Sequence, residues 1–80
     1  MKYTYISIEI LEKDKYLAQV LRIAPYDNLL SKLQIKGLVH ANICTSKKAA
    51  LQQADFWNRR NQENGKYYFG DGKIYPPIVR

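Results

Sequence analysis

The stretch from Cys44 to Gly65 limits what this chain can fold into more than any other segment. It reads as one helix with both ends written in. Thr45 or Ser46 stands where an N-cap oxygen accepts an early backbone N–H, and Asn64-Gly65 supplies a left-handed stop. At the helical period, Ala50, Ala54 and Trp57 align, with Leu51 on one flank and Ala49 and Phe56 on the other, so this arc is the expected core face. Lys48, Gln52, Asp55, Arg59 and Gln62 lie opposite, with Asp55 and Arg59 spaced for a surface ion pair. The alanines let the helix sit close on a sheet, and Phe56 and Trp57 fill the wider gap near its C-terminal end.

Such a helix needs a sheet to cover, and the N-terminal half supplies strands. From Lys2 to Ile10 the even positions Ile6, Ile8 and Ile10 are apolar, and Tyr3, Tyr5, Ser7 and Glu9 alternate with them. This is the pattern of a half-buried strand with its isoleucines toward the core. A charged connection at 12–15 leads to a second apolar run from Tyr16 to Ala24, giving a hairpin that Pro25 ends. Within Tyr26–Ile35, Leu29, Leu30 and Leu33 with Asp27 or Asn28 as cap predict a short helical connection. Gly37 breaks that pattern, and Leu38–Ile43 reads as a third strand with Val39, Ala41 and Ile43 on one face.

Beyond Gly65, Lys66–Phe69 has strand character and residues 70–72 form a turn. Lys73-Ile74-Tyr75 has the character of a returning strand that Pro76-Pro77 stops. The expected fold class is α+β. A small antiparallel sheet, built from the hairpin, a third strand and an optional C-terminal strand, carries one long amphipathic helix on one face, in the order ββ(α)βα(β). Residues 1–75 form the expected single compact domain and residues 76–80 a mobile tail.

Eighty residues support one thin core. Thirteen Lys and Arg against seven Asp and Glu give +6, which favours nucleic acid or an acidic protein as partner. The excess is uneven: residues 46–80 carry seven basic and three acidic side chains, residues 1–45 six and four. Cys44 is the single cysteine, so no internal disulfide forms, and with His40 alone beside it no zinc site is complete. A reducing, cytoplasmic setting is expected, because the N-terminus lacks a signal-peptide apolar region and no run reaches membrane-spanning length. No cofactor, metal or membrane partner is expected.

The inventory for catalysis is poor. His40 and Cys44 share a strand face about two pleats apart, too far for direct hydrogen bonding, and no acidic pair has a readable spacing. The glycines beside lysine at 36–37 and 70–73 lack the spacing of a phosphate-cradling loop. The expectation is a non-enzymatic binding module. Its candidate nucleic-acid contacts are Lys47 and Lys48 at the helix start, Arg59, Arg60 and Lys66 near its end, and Tyr3 and Tyr5. The competing expectation is a protein-binding module or homodimer that uses an open sheet face bearing Tyr3, Tyr5, Tyr16, Tyr67 and Tyr68.

Thr45-Ser46-Lys47-Lys48-Ala49, then Phe56-Trp57-Asn58 and Asn64-Gly65-Lys66-Tyr67-Tyr68-Phe69, resemble a group of short uncharacterised proteins of bacteria and their phages. The resemblance covers residues 38–69 and implies a strand followed by a helix, with no activity to carry over. The Thr-x-Lys-Lys-Ala entry also resembles the arm-site DNA-binding domains of tyrosine integrases, which place three strands before one helix. In this chain the segment Asp27–Lys36 intervenes before the last strand, a departure from that compact meander.

Overall fold

The computed structural model describes residues 3–23, 34–70 and 72–78. Strands β1 (Thr4–Glu12) and β2 (Lys15–Ile23) form an antiparallel hairpin that runs to its last pair, Glu12 opposite Lys15. Glu12 and Lys15 are themselves paired, so the connection is shorter than the four charged residues read from the sequence. Only Lys13 and Asp14 lie between the strands. Both are left-handed, with φ of 49° and 65°, the backbone of a two-residue turn whose twist suits the hairpin.

Strand β3 (Leu38–Cys44) lies antiparallel on the other edge of β1, with Tyr5 opposite Cys44 and Glu9 opposite His40; the register slips by one at Val39. Gly37 enters this strand at φ +82°, and its carbonyl accepts the Leu11 N–H at 2.8 Å. A Cβ there would lie 2.3 Å from the Leu11 carbonyl oxygen, so glycine is required by close approach as well as by conformation. Most of the predicted helical connection falls within residues 24–33, outside the described residues.

Helix α1 (Lys47–Glu63) carries the chain from β3 over the sheet to the free edge of β2. Ser46 is its N-cap, the Oγ accepting from Ala49 N at 3.1 Å. Asn64 closes it by donating to the Arg60 carbonyl, followed by Gly65 at φ +72°. The chain then runs in the direction of β3, which is also that of β2, so β4 (Tyr67–Tyr68) and β5 (Ile74–Ile78) pair with β2 in parallel. The fold is α+β, one helix on a five-stranded sheet. The sheet is mixed, which corrects the antiparallel expectation. β5 continues past Tyr75 through Pro76 and Pro77 to Ile78, opposite Ile23. An outer strand tolerates prolines, and the register shifts where they pass.

The helix sits on the face that the alternation marks as polar. Ala50, Ala54 and Trp57 pack with Ala18 and Val20, flanked by Tyr5, Cys44, Leu51 and Ile74. Ile6, Ile8, Leu21 and Ile23 form a second cluster, with Ile10, Ile35, Leu38 and Ala41 against it. The period-2 reading sorts the side chains correctly between two faces, yet both faces are covered. Close approach of the alanines in α1 to Ala18 explains the choice, since small side chains on both elements let the backbones come near.

Two further expectations are corrected by this packing. Phe56 is 52% exposed, and the buried positions continuing the inner face of α1 are Asn58 and Asn61. Alternation places Tyr3, Tyr5, Tyr16 and Tyr68 on the same side of the sheet as α1 and Tyr67 on the other, so the expected tyrosines do not share one face opposite the helix. The reverse face carries the buried isoleucines.

Candidate functional site

At the N-terminal end of α1 the sequence gathers basic and aromatic side chains. Tyr5 stands opposite Cys44, the last residue of β3, and two residues further Ser46 caps the helix. Arg22 pairs across the sheet with Tyr5, and its guanidinium lies over the Tyr3 ring, 5.2 Å from the centroid. Lys47 and Lys48 occupy the first turn, both exposed, and that turn contains no acidic residue. Cations at a helix N-terminus oppose the macrodipole at a cost of about 0.3–1 kcal/mol each, and the first turn offers them no acidic side chain of its own.

The remaining predicted contacts lie elsewhere. Arg59 Nε pairs with Asp55 Oδ2 at 3.0 Å, the expected i,i+4 pair, and Arg60 sits in the last turn. Lys66 Nζ lies 4.5 Å from the Tyr16 centroid, and Lys15 Nζ 5.9 Å from that of Phe69. Glu12, Asp14 and Glu63 share this end with those cations. The seven sequence-predicted residues therefore divide into Tyr3, Tyr5, Lys47 and Lys48 at one end, and Arg59, Arg60 and Lys66 at the other. By the helical rise the two sets stand about 18 Å apart. Arg22 was not singled out by sequence reasoning. Its even position on β2, opposite Tyr5, is the signal that hairpin pairing makes visible.

Between the two ends runs a polar seam buried beneath α1. Ser7 Oγ donates to the Ala50 carbonyl and lies 3.7 Å from Cys44 Sγ. Asn58 Oδ1 accepts from Ala18 N at 3.1 Å. That donor falls in the gap between β4 and β5, whose strands serve Tyr16 and Val20 on either side, so Asn58 substitutes for a missing strand bond. Glu9 is held from two sides, by His40 Nδ1 at 2.7 Å to Oε1 and by Asn61 Nδ2 on Oε2. The His40 ring also stacks on Trp57 with centroids 5.5 Å apart.

His40 and Cys44 do share a face, and each has its own partner, Glu9 and Ser7. This arrangement ties the helix to the sheet rather than pairing a base with a nucleophile. Among the described residues no group of three or more His, Cys, Asp or Glu is placed to hold a metal. No helix among them is long and apolar enough to cross a membrane. Compared with family models, curated proteins and solved structures, the chain matches none.

Proposed function

We propose that this chain is a small non-enzymatic binding module that meets nucleic acid at the N-terminal end of α1. The observation that carries the reading is the convergence of Lys47, Lys48 and Arg22 with Tyr3 and Tyr5 around a helix start lacking acidic residues. Lysines there offer phosphate contacts, the first-turn amides favour an anion, and the exposed Tyr3 ring offers a stacking surface to an unpaired base. The net charge of +6 supports an acidic partner in general. A phage or mobile-element setting and a cytoplasmic location belong to the same proposal and rest on the residue resemblance of 38–69 alone.

Fluorescence anisotropy with short labelled single-stranded DNA, RNA and duplex DNA, at about 50 and 200 mM salt, tests the proposal. Binding at low salt that weakens steeply at high salt is expected. Lys47→Glu with Lys48→Glu removes most of it, and Arg59→Ala leaves it intact because Arg59 already serves Asp55. Absence of binding at low salt, or equal losses in both variants, overturns the reading.

A further inference from the structure

The two borders of the sheet are unlike. On the β2 side the outer strands are broken into two-residue β4 and proline-bearing β5. Short strands and prolines are the usual means by which proteins stop a border from recruiting another strand. On the opposite side β3 runs for seven residues, Leu-Val-His-Ala-Asn-Ile-Cys, with no proline and no Lys, Arg, Asp or Glu. It leaves Val39 43% and Ile43 53% exposed. Its register slip against β1 is confined to the start, so His40–Cys44 is regular, and among the described residues no strand pairs with its outward side.

From these observations we infer that β3 is a self-association edge and that its occupant is β3 of a second copy, antiparallel, joining the two sheets into one. The strand is complementary to itself. About a two-fold axis through Ala41, His40 of one copy falls opposite Asn42 of the other, and Ile43 comes up to the other copy's Val39 at the slip, so polar meets polar and apolar meets apolar. Charge favours a copy over a foreign acidic partner. The chain carries +6, yet this strand has no acidic or Lys/Arg side chain, so like copies meet here without repulsion between side chains on the seam. The inference is independent of the nucleic-acid reading, because it uses none of that site's residues.

Sedimentation equilibrium on the full chain, from micromolar to millimolar protein, tests it together with hydrogen exchange read by mass spectrometry. A reversible dimer is expected, with the peptide spanning residues 38–44 exchanging more slowly as concentration rises. Ile43→Lys places a charge on the seam and leaves a monomer whose circular dichroism matches the parent. A chain that stays monomeric throughout overturns the inference, as does a dimer whose added protection lies outside β3 or which Ile43→Lys leaves intact. Should that variant fail to fold, the exchange pattern of the parent chain decides alone.

Discussion

Asn61→Ala probes the buried carboxylate beneath the helix. Glu9 has a side chain only 5% exposed and holds two donors, one internal and one at the rim. Asn61 is the internal one, itself 3% exposed, so water does not readily replace its amide. A hydrogen bond to a charged group contributes about 1.5–3 kcal/mol net, and truncation leaves the buried oxygen unserved, so a loss of about 2–3 kcal/mol is expected. His40 is the rim donor, 59% exposed at its side chain, where water takes its place. His40→Ala should therefore cost only about 1 kcal/mol, in the range of partly solvated pairs.

Against a total of about 4–12 kcal/mol for a chain of this length, both changes are measurable. With a urea m-value near 1 kcal/mol/M, Asn61→Ala lowers the midpoint by about 2–3 M and His40→Ala by about 1 M. Urea melts followed by circular dichroism read both. Replacing Glu9 and Asn61 together by leucine should recover part of the loss, because the charge is removed along with its partner. An Asn61→Ala loss under about 0.5 kcal/mol, or a larger loss for His40→Ala than for Asn61→Ala, would refute the reasoning that burial ranks the two donors.

Trp57→Ala should cost about 3–5 kcal/mol, while Phe56→Ala stays within about 0.5 kcal/mol, because one ring is 7% exposed and its neighbour 52%. Urea melting separates them, and equal losses would mean that the helix is rotated from the described packing. Asp14→Gly should stabilise by about 0.4–1 kcal/mol, since glycine adopts the left-handed turn geometry that Asp14 holds at φ 65°. A lowered thermal midpoint would show that the Asp14 side chain contributes more than its backbone strain costs.

Local signals account for what the sequence revealed. The helix was readable from end to end because Ser46, Asn64 and Gly65 act through bonds to their near neighbours. The alternation in β1 likewise told which side chains share a face. It did not tell that the face with Ser7 and Glu9 receives the helix, because their solutions lie far along the chain, at Ala50, His40 and Asn61. Nor did helical periodicity predict that Asn58 replaces Phe56 as a buried position, since its role is to serve an Ala18 N–H left open by the break between β4 and β5. The split of the basic residues was foreshadowed by their spacing on the helix. Addition of Arg22 to one set required the hairpin register.

Parallel docking of the last strand on β2 also bears on the order of assembly. Val20 waits for Ile74 and Ile23 for Ile78, so these partners meet only after the hairpin, β3 and α1 have been made. During synthesis the N-terminal hairpin, with its two-residue turn, has all its pairing residues available early and is the natural nucleus. The outer side of β2 stays unpaired until residues 67–78 emerge, and truncation before Ile74 would leave the part of it that β5 covers open for good. A chain cut there keeps its hairpin and helix sequences but loses the segment that seals β2, which makes aggregation of prematurely ended chains the expected failure of this topology.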